Sequence, residues 1–385
     1  MRDFLQELKH FFRKGDMVLL TMCLATSAFG CLIIASTNNY RGFTRYVGVQ
    51  LAAILLGVLL FAITSSIDAE FFSEHRLALS VFCVGFLLLL VPFGTDLGTG
   101  NKSWLDFPFL PIDIQPAEFC KILYILITAS VMASHQNRLS AVPSVFHMAW
   151  YLILIVGTNM LVSKDAGVSL IFVFIFIGMA FAGGVNLFWF LLGGGSIAVA
   201  FPVLWSQIMT QKQKDRILYL FYPDVIDPQG LDEGWHATRS LKSLTGGGML
   251  GQGLFNGNRT QGGQLFAQHT DFIFSAIGEE LGYVGCVLVL LMLFAIIARC
   301  IWVGRQSNDY MRRLICYGAA AALIFQVISN VGMCIGVTPV IGLTLPLISY
   351  GGSSIVTIYA MLGLVSGVHA RPSPRSHERY IRPPR

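Results

Sequence analysis

The sequence predicts an all-α integral membrane protein with about ten transmembrane helices. Three observations support this. Of the 385 residues, 55% are hydrophobic and only 12% are charged, roughly half the charge content of an ordinary soluble domain. Apolar runs of the length needed to cross the hydrocarbon layer, about 20 residues, recur along the chain. No stretch between them has the composition of a separate soluble domain. Open sheet edges go unsatisfied in lipid, so the spanning elements must be helices.

The candidate spans are 17–36, 46–66, 77–93, 117–134, 146–163, 167–183, 185–205, 274–302, 311–334 and 353–370. The eighth is long enough to tilt and is expected to start in a partly buried turn. The chain opens with a charged, amphipathic segment containing Arg2, Lys9, Arg13 and Lys14. The apolar run after it is full length and lacks a small-residue cleavage pattern, so it reads as a first span and not a signal peptide. The cysteines lie mostly inside apolar runs (Cys23, Cys31, Cys83, Cys286, Cys316), with no CxxC pair. They read as small buried hydrophobes, not as a disulfide or zinc framework.

Lys and Arg placement sets orientation. The N-terminal segment is basic, as are the turn near Arg299, Arg305, Arg312 and Arg313 and the tail with Arg371, Arg375, Arg379, Arg382 and Arg385. With an even number of spans all three fall on one side, the cytoplasm. The net charge of +5 then reflects topology and some affinity for anionic lipid. Nucleic-acid binding is a poor reading, because the basic residues are divided among short turns. Residues 1–370 form one polytopic membrane domain, and 371–385 a basic, disordered cytoplasmic tail. Three stretches face outward: Gly94 to Pro116, a long loop of about 207–271, and Gly336 to Gly352. The long loop mixes cations, glycines and aromatics. That mixture suits either an anionic, amphipathic ligand at the membrane surface or a plain solvated loop.

Ionisable residues at membrane depth are candidates for function. Glu118 and Lys121 share one face of a helix that Pro116 can start. They are either a self-neutralising pair or the polar wall of a site, with Lys121 available to a phosphate. Asp165, in Lys164-Asp165-Ala166-Gly167, is explained by a helix cap alone. Asp271, in Gln268-His269-Thr270-Asp271-Phe272-Ile273-Phe274, enters the membrane directly after the long loop. It is either a charge satisfying the helix dipole or a general base whose proton affinity a water-poor cleft has raised. Glu279 and Glu280 read as supporting or interhelical partners. From Thr338 to Ser354, two prolines and paired glycines mean broken helix, tolerated only where protein or a wet cavity surrounds it. The sequence has no phosphate-binding P-loop, HExxH zinc site or nucleophile elbow.

At these places together the chain resembles the SEDS family (shape, elongation, division and sporulation), which includes RodA and FtsW. The residues that carry the likeness are Gly100 through Leu105, Gln115-Pro116-Ala117-Glu118 with Lys121, Leu265 through Phe274 followed by Glu279-Glu280-Leu281-Gly282, Asn330, and Pro339 through Ser354. They span nearly the whole chain, in order. The resemblance implies a ten-helix fold of the GT-C-like type. It implies a glycosyltransferase that polymerises lipid II into glycan strands on the outer face of the bacterial cytoplasmic membrane. A class B penicillin-binding protein and other cell-wall elongation or division proteins are the implied partners. The family's essential acid falls on Asp271. The expected substrate-binding residues are Lys102, Trp104, Glu118, Lys121, Asp165, Arg216, His269, Ser349 and Ser353. Lys121, Lys102 and Arg216 are the cations expected to face the leaving pyrophosphate. Mg²⁺ or another divalent cation suits such chemistry, although no dedicated ligand cluster is visible.

The chain departs from the family pattern in several places. Phe266-Ala267 stand where Pro-Glu is usual, and Ser103 replaces an arginine. Of P-D-L-G only Asp165 and Gly167 remain, and His236 and Arg239 stand where glutamines are common. A lipid II translocator of the same fold and a non-catalytic scaffold for a penicillin-binding protein remain as rival readings. The acid at the outer face favours the polymerase.

Overall fold

The computed structural model describes residues 15–39, 42–68, 72, 74–95, 102–106, 113–227, 234–265 and 267–371. The N-terminal basic segment and the tail beyond Arg371, for which disorder is expected, lie outside the described residues.

Among the described residues, ten helices are long and apolar enough to span a membrane. They are α1 (Met17–Thr37), α2 (Thr44–Ser66), α3 (Arg76–Phe93), α4 (Pro116–Ser134), α5 (Val142–Val162), α6 (Ala166–Gly183), α7 (Leu187–Gln207), α8 (Ile273–Gln306), α9 (Tyr310–Cys334) and α10 (Gly352–Ala370). Their starts follow local chemistry. The Asp16, Asp165 and Asp309 carboxylates accept from backbone N–H groups three residues on, at 3.0, 3.1 and 2.8 Å, and so cap α1, α6 and α9. Pro116 and Pro143 sit in the first turns of α4 and α5, where a missing N–H costs nothing. For this reason α5 starts four residues before the span expected from 146. Gly184, at φ +90°, ends α6 in a left-handed cap.

The core of the bundle is built on close helix contacts. Between α2 and α10, Gly57 faces the Tyr359 ring, Gly363 faces Thr64 and Phe61, and Gly367 faces Ser65. Small residues let the two backbones approach. Thr64 Oγ1 then donates to Ala360 O across the gap at 2.9 Å. Helix α9 lies at the centre, packed against α4, α6, α8 and α10. Helix α7 stands apart, with none of its described residues buried. It is tied at its start by Trp189 Nε1 donating to Ser140 O at 2.9 Å.

One end of the bundle is held by ion pairs. Arg299 of α8 makes a two-pronged bridge to the buried Asp16 at 2.8 and 3.0 Å, and Asp16 N donates to Ser366 Oγ of α10 at 3.0 Å. Beside them Arg312 reaches Asp68 at 3.4 Å and donates to Arg371 O at 3.0 Å. At the opposite end, α4, α6, α8 and α10 all begin. There too the long loop is structured, with helices Gln211–Tyr219, Pro223–Ile226, Trp235–Gly246 and Asn258–Gln261. A two-stranded hairpin pairs Gly94–Thr95 with Trp104–Leu105.

Helix α8 is kinked. Gly282 takes φ +66°, ψ −164° inside it, and the freed carbonyls are satisfied by the glycine-rich loop before it. Gln252 N and Gly253 N donate to Glu279 O and Glu280 O, each at 2.9 Å, and Tyr283 N donates to Gly248 O at 2.9 Å. The two carboxylates tie the loop further. Glu279 accepts from Arg259 N, Thr260 N and Thr260 Oγ1 at 2.7–2.9 Å. Glu280 accepts from Ser36 Oγ at 2.6 Å and Gln261 Nε2 at 2.8 Å. Both act as scaffold for the loop, as partners between elements.

Candidate active site

The starts of α4, α6, α8 and α10 converge on a cavity of about 490 Å³, within the size range of sites that take small organic ligands. Its wall includes Trp104, Gln115, Glu118, Asp165, Trp235, Gln268, His269, Asp271, Gln326, Thr344, Tyr350 and Ser354.

Asp271 is positioned by its backbone. Asn330 Nδ2 of α9 donates to Asp271 O at 2.8 Å and to Leu343 O at 2.6 Å. Ser349 Oγ donates to Thr270 O at 2.6 Å and accepts from Leu345 N at 2.8 Å, while Tyr350 N donates to His269 O at 2.8 Å. The stretch from Gly336 to Gly351 has no helix, so its backbone is free to make these bonds. Gly342, at φ +70°, passes so close that a side chain there would meet the Asp271 carboxylate.

The Asp271 residue is half-buried in the cavity wall. Burial raises its pKa from 3.8 to about 6; the Asp165 charge adds to the rise and a hydrogen bond from Thr270 opposes it. Asp165 is also raised, chiefly by burial, against the bonds it accepts from Val168 N and Ser103. Gln115 Nε2 and Ser103 Oγ both reach Asp165 Oδ2 at 3.4 Å. Asp165 therefore caps α6 and lines the cavity at once. Glu118 is held by Lys121 Nζ at 2.8 Å and by Thr357 Oγ1 of α10 at 3.1 Å.

Of the residues expected to bind substrate, Trp104, Glu118, Asp165 and His269 line the cavity with Asp271. Lys121 is buried one turn deeper in its ion pair with Glu118. Lys102 is exposed beside the cavity residue Ser103, and Arg216 lies on the helix Gln211–Tyr219; neither is part of the wall. Ser349 is buried and clamps the Thr270 backbone. Ser353 is buried at the start of α10, while its neighbour Ser354 faces the cavity and pairs with Thr344 Oγ1 at 3.2 Å. Sequence reasoning missed Gln326 altogether. The available signal was its spacing of four from Asn330, two polar residues on one face of an apolar helix. Among the described residues no group of three or more His, Cys, Asp and Glu is arranged to hold a metal ion. Asp165, an anionic oxygen donor in the wall, is already engaged. The described residues thus do not fit a dedicated divalent-metal site.

Fold and cavity together define a class: a ten-span helical membrane protein with a carboxylate-bearing chamber at one end of the bundle. The chain belongs to the FtsW/RodA/SpoVE family of cell cycle proteins, whose family model matches residues 16–373. It is 30% identical over 360 residues to "Peptidoglycan glycosyltransferase MrdB" of Escherichia coli K12, covering 92% of this chain and 93% of that protein. It is 29% identical over 367 residues to "Probable peptidoglycan glycosyltransferase FtsW" of Trichlorobacter lovleyi, with the same coverage of each. Among solved structures it is similar to a chain from "Structural coordination of polymerization and crosslinking by a peptidoglycan synthase complex". That match has a TM-score of 0.78 and 27% identity, covering 96% of this chain and 99% of that one. The rod shape determining protein RodA of Thermus thermophilus matches with a TM-score of 0.67 and 25% identity, covering 95% and 98%.

Proposed function

We propose that this protein is a peptidoglycan glycosyltransferase that polymerises lipid II at the outer face of the cytoplasmic membrane, with Asp271 as general base. The observation that carries this reading is the placement of Asp271, fixed by its backbone and raised to a pKa of about 6, beside Asp165 and Glu118 in the wall of a cavity large enough for sugar. At neutral pH such a group is mostly ionised yet basic enough to take a proton.

A sugar hydroxyl of one lipid II attacks the anomeric carbon of another lipid-linked sugar. Asp271 takes the hydroxyl proton as the new C–O bond forms and the anomeric bond to pyrophosphate breaks. The pyrophosphate departs with that bonding pair, and a single displacement inverts the anomeric centre. Among the four helix starts, α4 carries Glu118 in its first turn, α6 is capped by Asp165, and α8 follows Asp271. The start of α10 has no such acid and no side-chain cap, so it is the end that favours the leaving anion. Lipid II, anionic lipid and a class B penicillin-binding protein are the partners this reading implies. Both termini lie in the cytoplasm, where Arg299, Arg312 and Arg371 cluster, and the cavity lies outside.

Purified protein in detergent, mixed with lipid II and its cognate class B penicillin-binding protein, separates this reading from its rivals. Detergent has no two sides, so a translocator or scaffold leaves lipid II unchanged, whereas a polymerase yields glycan strands. Unchanged lipid II under these conditions would overturn the assignment.

A further inference from the structure

Helix α2 carries one polar side chain between Tyr46 and Thr64, and it is Gln50. An amide in an apolar span is expensive unless its hydrogen bonds are met. Gln50 is fully buried, and both ends of its amide are engaged. Nε2 donates to Ser349 O at 3.1 Å, and Oε1 accepts from Gly351 N at 3.3 Å. These two partners flank a single residue, Tyr350. Simple adhesion between helices needs only one such bond. Gln50 instead brackets one residue of a segment that has neither helix nor strand to fix it.

Tyr46 lies one turn before Gln50, on the same face of α2. Its ring meets those of His269 and Tyr350 at centroid distances of 5.3 and 5.5 Å. Helix α2 therefore holds Tyr350 twice, by its backbone through Gln50 and by its ring through Tyr46. Ser349 and Tyr350 in turn hold the segment that leads into α8. Ser349 Oγ donates to Thr270 O at 2.6 Å, and Tyr350 N donates to His269 O at 2.8 Å. Asp271 is the next residue. The bond to Gly351 N also fixes the chain where α10 begins.

We propose that Gln50 is a positioning residue: by fixing the backbone on both sides of Tyr350 it holds residues 349–351 against His269 and Thr270, and so sets the place of the Asp271 carboxylate in the cavity wall. The consequence for catalysis rests on the polymerase reading, while the clamp itself does not. Gln50 touches no reacting atom and acts only through the backbone that it grips.

The test uses full-length protein in detergent and dicyclohexylcarbodiimide, an apolar reagent that couples to carboxyl groups when they are protonated. Mass spectrometry of the peptide that carries Asp271 then reads its protonation against pH without any turnover. Burial holds this pKa at about 6, so the labelling midpoint reports how closely the wall packs. The ionisable groups around it, Asp165, Glu118 with Lys121, His269, Tyr350 and Cys334, stay unchanged in every variant. Gln50→Met keeps the volume and loses both bonds. Gln50→Asn keeps the amide but is one methylene too short to span them. Either change admits water to the carboxylate and should move the midpoint down toward the ordinary 3.8, by about half a pH unit or more. With lipid II, either should slow strand synthesis about tenfold at saturating substrate and leave KM within about twofold of wild type. Thr64→Val removes the bond to Ala360 O between α2 and α10, far along the same contact, and should leave the midpoint at its wild-type value. A folded Gln50 variant with the wild-type midpoint, an equal shift from Thr64→Val, or a wild-type midpoint already at the ordinary value overturns the inference. The pair of Gln50 variants guards against one that fails to fold. The two readings fail separately. A midpoint that moves with Gln50 while wild type makes no strands counts against the polymerase and leaves the clamp standing; strands from wild type, with a midpoint indifferent to Gln50, count against the clamp alone.

Discussion

Asp271 gains proton affinity from the protein packed around it and from the Asp165 charge, and both effects have consequences for pH. As the proposed general base Asp271 acts only when ionised, so the polymerisation rate should fall about tenfold per pH step below about 6 and level off above it. A pH–rate profile with its acid limb displaced to 4 would contradict the assignment. Stability runs the other way. The folded pKa lies above the ordinary 3.8, so this group's contribution is fully present below about 3.8 and is lost as pH rises through about 6. At neutral pH the ionised carboxylate costs about 3 kcal/mol, and Asp271→Asn should raise the melting temperature in detergent. The Glu118–Lys121 pair behaves oppositely, since both side chains are about 95% covered. Lys121→Met strands a buried carboxylate and should destabilise by about 3 kcal/mol, and adding Glu118→Gln should restore much of that; chemical denaturation measures both. At this scale the sequence was informative wherever a charge lay in an apolar run, which is how Asp271, Glu118 and Asp165 were found. It could not resolve neighbours within the broken segment. Ser353 and Ser354 differ only in the direction each faces at a helix start, and no periodicity fixes that direction where the helix has just begun.

Helix α8 shows how an element can be legible in extent and illegible in shape. Its length and apolar content are plain in the sequence, and it starts one residue before the expected 274. The kink at Gly282 is not plain, because a lone glycine in a span is ordinary and the loop that satisfies the opened carbonyls lies some thirty residues upstream, roughly from 247 to 253. Any side chain at Gly282 meets both the positive φ and the backbone of Gly251. Gly282→Ala should therefore lower stability by more than the roughly 1 kcal/mol strain of a left-handed residue, and should loosen the loop that carries Trp235 and Gln268. Limited proteolysis of the 247–263 region would register this, and a variant as resistant as wild type would refute it. Similarly, α5 begins at Val142 because proline is welcome in a first turn, where a hydropathy window alone places the start later.

At the scale of the whole molecule, the ten spans among the described residues carry the proposal that both chain ends lie on one side, the end of the bundle that holds the ion pairs Asp16–Arg299 and Asp68–Arg312. Reporter fusions at the two termini should both read as cytoplasmic; opposite readings would break the topology on which the outward-facing cavity depends. The order of the spans was readable because each apolar run must match the hydrocarbon thickness. Their packing was not, since the meeting of four helix starts depends on contacts between residues hundreds of positions apart, such as Thr357 with Glu118. In the proposed function, cell-wall polymerisation turns on one carboxylate in that meeting place, Asp271. The measurement that tests this most directly is strand synthesis from purified lipid II by wild type and Asp271→Asn, with the partner transpeptidase present and melting temperatures taken on the same samples. A loss of at least about a hundredfold in rate, with a melting temperature equal to or above that of wild type, is the predicted result. Strand synthesis that survives the substitution in a folded protein would contradict it.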